Sequence, residues 1–305
     1  MKRKLIAGVI IGVAFISLVI AALHQQRGGA VAGGGLTGGD AIGVIHINGL
    51  IMAGNSTGGL FGAVAGSDTV MEQLRRAADD PHIKAVVIRM NTPGGTSAAS
   101  QEITLEIERL REAGKKVVAS LGDVSASGGY WIASHCDKIV ANPGTITGSI
   151  GVIMETTNMR SLYDKIGIDP KVFKSGPHKD MGSPARDIDP EEQAIFQEMV
   201  DDIYRQFVNT VSNGRGMDRE QVARLADGRI FTGSQAVENG LVDELGNFYD
   251  AVGVAAQLAG LEDSARVIDL TPVIPWWETL SNVRLGIVGL EMYPAAWLVY
   301  KPMLE

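Results

Sequence analysis

The chain has 305 residues, of which 45% are hydrophobic and 20% are charged, and its net charge is −8. This acidic balance argues against a nucleic-acid-binding protein, which normally carries a basic face. No zinc-binding or dinucleotide-binding signature occurs, so the sequence predicts no metal and no cofactor. The single cysteine, Cys136, excludes an intrachain disulfide, and we interpret it as an inert core residue.

The N-terminal residues 1–24 predict a membrane anchor. Lys2, Arg3 and Lys4 precede residues 5–23, which contain no charged side chain. As a helix this run spans roughly 28 Å, close to the thickness of a bilayer's hydrocarbon core. The basic flank favours a cytoplasmic N-terminus, with the rest of the chain across the membrane. A cleaved signal peptide is the alternative, but the run is long for one and residues 21–24 (AALH) form a poor cleavage site.

A glycine-rich linker at 25–40 leads into a predicted domain at 41–265, where strand-like and helix-like patterns alternate. Strands are predicted at 42–47, 85–90, 116–121 and from residue 138, and helices at 68–78, at 97–113 and over about twenty residues from Pro190. Such alternation indicates an α/β domain with largely parallel strands.

The tail at 266–305 differs from the domain in composition. It holds large apolar side chains and little charge, including Trp276, Trp277 and Trp297. We expect it to pack on the domain, on a neighbouring subunit or on the membrane surface.

Ser127 is the candidate nucleophile. It follows a strand-like run and precedes Gly128 and Gly129, so it is expected at a strand-to-helix turn. A serine hydroxyl attacks a carbonyl only when a base accepts its proton. The N–H of Gly128, and a second N–H from a tight turn at 91–95 (NTPGG), could stabilise the resulting oxyanion.

Residue types alone do not identify the general base that would accept the Ser127 proton. Of the five histidines, only His178, with Asp180 nearby, is a plausible catalytic imidazole. A lysine base requires a neutral amine, far below the usual lysine pKa of about 10.4, and a nearby carboxylate opposes this. Asp180 stands next to Lys179, and composition does not favour Lys179 over Lys174.

Six motifs in the same order resemble the signal peptide peptidase A family. They are 91–95 (NTPGG), 126–130 (ASGGY), 147–152 (TGSIGV), 174–180 (KSGPHKD), 226–233 (ADGRIFTG) and 241–246 (LVDELG). The resemblance implies a Clp-protease/crotonase-like α/β fold of ββα spiral units, preceded here by one transmembrane helix. It covers about residues 41–255 and leaves the tail without a recognised motif.

The resemblance also assigns roles to individual residues. It implies that Ser127 is the nucleophile, that Lys179 is the general base, and that Ser149 orients the lysine amine. The backbone N–H groups of Gly94 and Gly128 would form the oxyanion hole. Members with one anchor and one serine motif form membrane-tethered rings of identical subunits, in which the serine and lysine of a site come from adjacent subunits.

The resulting prediction is a membrane-anchored serine endopeptidase that cleaves remnant signal peptides after their release from secreted preproteins. Its substrates would be hydrophobic peptides, and its catalytic domain would face the periplasmic side of the bacterial inner membrane. Two alternatives remain open: a crotonase-type acyl-CoA enzyme, and a non-catalytic membrane-tethered assembly protein.

Overall fold

The computed structural model describes residues 39–57, 63–262, 264–271 and 297–299. The chain divides into two compact units, 1–39 and 40–305, and every element below belongs to the second. The predicted anchor at 5–23 and most of the predicted linker lie outside the described residues. Within the described ranges, no helix has both the length and the apolarity needed to cross a membrane.

Strands and helices alternate along the described chain, as the sequence predicts. The strands are β1 (Ala41–Asn48), β2 (Leu50–Met52), β3 (Val64–Gly66), β4 (Ile83–Thr92), β5 (Gly94–Thr96), β6 (Lys116–Ala126), β7 (Lys138–Ala141), β8 (Ile146–Gly148), β9 (Ile230–Thr232), β10 (Glu244–Leu245), β11 (Arg266–Asp269) and β12 (Trp297–Val299). The helices are α1 (Ser67–Asp79), α2 (Ser97–Glu112), α3 (Gly128–Ala133), α4 (Arg160–Ile166), α5 (Pro190–Arg215), α6 (Arg219–Leu225), α7 (Gly233–Glu238) and α8 (Phe248–Ala259).

The main sheet has the strand order β10-β7-β6-β4-β1-β11, with β8 beside β6 and β9 beside β8. All its described pairs are parallel except β8–β9. Along β4, Val86 and Ile88 enter one apolar cluster while Ala85 and Val87 enter a second. Successive strand residues point to opposite faces, so both faces of the sheet are buried. The prediction of an α/β domain with a parallel sheet is confirmed.

Helices cover the two faces of this sheet unequally. The larger apolar cluster includes side chains of α1, α2, α3 and α5, and the smaller includes the alanines of α8. The bounds of α1 and α2 agree with the predicted helices to within two residues. Helix α5 has 26 residues, so the prediction of about twenty was too short. Its extra turn continues because Gly214 packs against Ser134 and Arg215 bonds to Asp243.

A second, smaller sheet lies at the end of the main one and has the order β12-β5-β2-β3. Strand β5 continues from β4 after Pro93, so the prediction of a tight turn at 91–95 was wrong. The break is local, because Gly94 alone adopts a φ of +106° before the chain extends again. A methyl group on Gly95 would lie 1.8 Å from the carbonyl oxygen of Ile51, which explains a glycine where β5 meets β2.

Candidate active site

Ser127 occupies a strained backbone position between β6 and α3. Its φ is 53° and its ψ is −117°, a region that residues with a side chain rarely adopt. Strand-to-helix turns of this kind present a nucleophilic serine in α/β-hydrolases. The turn is held by two main-chain hydrogen bonds, from the Ser127 N–H to the Gly148 carbonyl at 2.8 Å and from the Trp131 N–H to the Ser127 carbonyl at 2.8 Å.

The Ser127 hydroxyl lacks a partner among the described residues. The residue is 1% exposed, and its Oγ makes no hydrogen bond there. A serine at a helix N-cap usually accepts an N–H from the first turn, yet Ser127 makes no such bond. Leaving a buried hydroxyl unsatisfied costs about 1–3 kcal/mol. The fold thus maintains a strained, unpaired hydroxyl at this turn.

Ser149 lies beside Ser127. Strands β6 and β8 are parallel and pair Ala126 with Gly148, so the two serines follow directly on adjacent strands. Ser149 has a φ of 50°, and among the described residues it and Ser127 are the two non-glycine residues with positive φ. Its N–H donates to the Arg229 carbonyl at 2.8 Å, which ties it to the 226–233 motif. The structure brings these two predicted site residues together.

The two predicted oxyanion donors differ in their bonding. The buried N–H of Gly94 donates to Thr92 Oγ1 at 3.1 Å. The N–H of Gly128 lies in the first turn of α3, where no carbonyl of the helix is available to accept it. Thr92 pairs with Ser125 across β4 and β6, which places Gly94 near the end of the strand that leads to Ser127.

Strand β5, which begins at Gly94, also pairs with the tail. Strand β12 runs antiparallel to it, with Trp297 opposite Thr96 and Val299 opposite Gly94. Residues 297–299 of the tail thus form a strand beside β5, while Trp276 and Trp277 lie outside the described residues. The edge of β5 thus accepts an extended segment as an added strand.

Among the described residues, no hydrogen bond links Lys179 to this cluster of glycines and serines. It is exposed, within a run of turns at 177–182, and its backbone N–H donates to the Gly176 carbonyl at 3.3 Å. Within the part of the chain that the structure describes, its amine makes no hydrogen bond or ion pair, and no hydrogen bond joins it to Ser127. The predicted Ser127–Lys179 hydrogen bond is therefore not formed within the described part of one chain.

The neighbouring carboxylate of Asp180 is engaged elsewhere. The Arg186 guanidinium donates to both of its oxygens, at 3.1 and 3.0 Å, and the Lys174 amine donates to Oδ1 at 2.7 Å. The hydrogen bond from Arg186 is the larger influence and that from Lys174 the second, and they hold the pKa of the Asp180 carboxyl well below its usual range. His178 instead lies 3.6 Å from Glu191, so Asp180 is not its partner. Sequence reasoning missed Arg186, because its spacing from Asp180 in an irregular segment carries no recognisable pattern.

A buried contact that the sequence did not predict lies below the Ser127 turn. The Tyr130 hydroxyl donates to the Leu241 carbonyl at 2.8 Å, and burial raises the pKa of this phenol. This contact gives the 241–246 motif a structural role under α3. Cys136 is buried, as predicted, and burial raises the pKa of its thiol. Over the described ranges, no group of three or more His, Cys, Asp and Glu side chains could hold a metal ion.

A parallel α/β fold with a strained, buried serine at a strand-to-helix turn defines the class of serine hydrolases. The profile of "Peptidase family S49" matches residues 109–262. The chain is 48% identical over 209 residues to the "Putative protease" of Synechocystis sp., which covers 68% of this chain and 75% of that protein. The chain belongs to peptidase family S49, the signal peptide peptidase A family, and is a protease.

Two further relatives are longer than this chain. Protease 4 of Salmonella typhi is 42% identical over 240 residues, which are 76% of this chain and 38% of that protein. The chloroplastic serine protease SPPA of Arabidopsis thaliana is 32% identical over 262 residues, 84% of this chain and 39% of that protein. The chain thus spans well under half of these two proteins. Membership of the family favours a peptidase over the acyl-CoA enzyme.

Proposed function

We propose that the protein is a membrane-anchored serine endopeptidase that cleaves remnant signal peptides and other hydrophobic peptides. The observation that carries this proposal is the buried hydroxyl of Ser127, which stands on a strained backbone and has no hydrogen-bond partner among the described residues. If this position served only to begin a helix, we would expect the hydroxyl to have a hydrogen-bond partner or the position to hold another residue. The anchor is the predicted helix at 5–23, with the catalytic unit on the periplasmic side of the inner membrane.

In the proposed reaction, the neutral Lys179 amine accepts the Ser127 proton while Oγ bonds to the peptide carbonyl carbon. The carbonyl electron pair moves to oxygen, where the Gly94 and Gly128 N–H groups stabilise it. The C–N bond breaks, and the leaving amine takes its proton from Lys179. Lys179 then accepts a proton from water, which attacks the acyl carbon and releases Ser127 with its hydroxyl restored. Ser149 would orient the amine.

This mechanism requires the Gly94 N–H to turn from Thr92 Oγ1 toward the developing oxyanion. An oxyanion-hole donor contributes about 3–4 kcal/mol to catalysis, more than the 0.5–1.5 kcal/mol net value of an ordinary hydrogen bond. The exchange is therefore favourable in the transition state.

We also propose that each site is shared between two subunits of a ring. Among the described residues, no base contacts the Ser127 hydroxyl and no group pairs with the exposed Lys179 amine. Large apolar side chains are exposed along the same segment: Ile153, Leu162, Ile166, Ile168, Val172 and Phe173. Helix α4 has no buried residue at all. So many exposed apolar side chains along one segment favour a protein interface there.

The Clp-protease/crotonase-like architecture is part of the proposal. It is supported by the repeated succession of a long strand, a short strand of the second sheet and a helix. This succession occurs as β4–β5–α2 and, with one more short strand, as β1–β2–β3–α1. The edge of β5 would bind the substrate as an added antiparallel strand, as it binds β12.

The test uses full-length protein in detergent and a fluorogenic apolar peptide. Ser127→Ala and Lys179→Ala should each abolish cleavage, while the matched controls Ser125→Ala and Lys165→Ala should retain it. A serine-directed acylating inhibitor should label Ser127, as located by mass spectrometry. Cleavage by either site variant would remove that residue from the mechanism. The absence of cleavage by the wild-type protein, together with intact oligomers, would favour the non-catalytic assembly protein.

A further inference from the structure

The guanidinium of Arg186 joins the turn that carries Lys179 to the beginning of α5. Its Nε and Nη2 donate to the carboxylate of Asp180, at 3.1 and 3.0 Å, and Nη2 also contacts the Asp180 carbonyl at 3.1 Å. Nη1 donates to Glu192 Oε2 at 2.9 Å and to the Asp187 carbonyl at 3.1 Å, and Nη2 donates to Glu192 Oε1. These contacts use every N–H of the guanidinium.

Glu192 makes this junction rigid. It is 1% exposed and lies in the first turn of α5, where its N–H donates to the N-cap side chain of Asp189 at 2.8 Å. A carboxylate in this position is also favoured by the helix dipole. A buried carboxylate must be paired, and Arg186 is the partner that the structure supplies. The turn at 177–182 is thereby fixed to a long helix.

The same contacts engage both oxygens of the Asp180 carboxylate, which adjoins Lys179 in sequence. Arg186 and Lys174 face its carboxylate from the same irregular segment, and Glu192 faces the other side of Arg186 from α5. Without Arg186, the Asp180 carboxylate would be held by Lys174 alone and would be free to approach its neighbour in sequence, and a carboxylate beside an amine favours the charged form of that amine.

We propose that Arg186 is a positioning residue: it fixes the turn that carries Lys179 to α5 and keeps the Asp180 carboxylate away from the Lys179 amine. This inference rests on the proposed role of Lys179 as general base. Arg186 acts through Asp180 and the turn and does not touch the substrate.

The test is the pH dependence of kcat/KM from about pH 6 to about pH 10. Arg186→Lys keeps a positive charge beside Glu192 but cannot hold two carboxylates in a fork. It should lower kcat at least tenfold, since small misplacements of catalytic groups are costly. It should also move the acidic limb of the profile upward by about one pH unit. Adding Asp180→Asn should return the limb to its wild-type position.

Arg205→Lys is the matched control. Arg205 is an exposed residue of α5 that pairs with Asp202 at 3.0 Å, and its substitution should change neither kcat nor the limb. A merely structural role for Arg186 predicts lower thermal stability and lower activity with the limb unmoved. An unmoved limb in Arg186→Lys, or a shifted limb that Asp180→Asn does not restore, overturns the proposal.

Two further variants keep the outcomes separate. If Arg186→Lys fails to fold, Arg186→Gln with Glu192→Gln carries the same test, since it leaves no unpaired charge at Glu192. Activity in Lys179→Ala would refute the proposed base, whereas an inactive Lys179→Ala with an unmoved limb in the Arg186 variants would refute this inference alone.

Discussion

Replacing Ser127 by alanine should stabilise the protein while it abolishes cleavage. The hydroxyl is buried and unpaired within the described structure, so its removal ends a desolvation cost of about 1–3 kcal/mol. The positive φ of 53° is equally strained for alanine, so that cost stays. If the desolvation cost is about 1 kcal/mol, Tm should rise by about 2–4 °C in a domain of this size.

Ser134 provides the matched comparison, because it is also buried and lies next to α3. Its hydroxyl donates to the Trp131 carbonyl at 2.7 Å, so Ser134→Ala loses a hydrogen bond. It should lower the free energy of unfolding by about 1 kcal/mol. Thermal unfolding of the full-length proteins in one detergent, followed by circular dichroism, gives both values. A lower Tm for Ser127→Ala than for wild type would show that the hydroxyl is satisfied, and the reasoning would be wrong.

Three further predictions concern the surroundings of the site. Deleting residues 297–305 frees the edge of β5 and should lower KM for an apolar peptide by roughly tenfold with kcat unchanged; an unchanged KM would contradict substrate binding at that edge. Gly129→Ala places a methyl 2.7 Å from Thr92 Cγ2, so it should displace the Ser127 turn and lower kcat at least tenfold, which steady-state kinetics would show. Burial is the largest single influence on Asp243 and opposes its ionisation, but the hydrogen bond and charge of Arg215, the Ile139 N–H and the charge of Lys138 together outweigh burial and lower the pKa of Asp243. A lowered folded-state pKa contributes stability above pH about 4 that is lost as pH falls, so urea unfolding of Asp243→Asn should depend less on pH between about 5 and 2.

The sequence indicated much of the local structure around Ser127. An apolar β-branched run followed by serine and two glycines predicts a strand, a sharp turn and a helix, and β6 and α3 have that arrangement. The alternation of such segments predicted the parallel sheet, because each strand needs a crossover helix. Helix α1 followed directly from its apolar spacing.

Other features could not be predicted because they depend on contacts between distant or irregular segments. Pro93 and Gly94 suggest a turn, yet Gly95 packs so closely on Ile51 that the chain extends into β5. The contacts of Arg186 lie in a segment without periodicity. The bond from the Gly94 N–H to Thr92 depends on a side-chain rotamer, which no sequence pattern specifies.

Mixing inactive Ser127→Ala and Lys179→Ala subunits tests the central claim, that one site combines Ser127 of one subunit with Lys179 of its neighbour. After dissociation and joint reassembly at equal amounts, a head-to-tail ring has both intact residues in about a quarter of its sites, so about a quarter of wild-type activity should return. Mixtures with no activity above that of either variant alone, despite mixed rings on native mass spectrometry, would contradict the shared site.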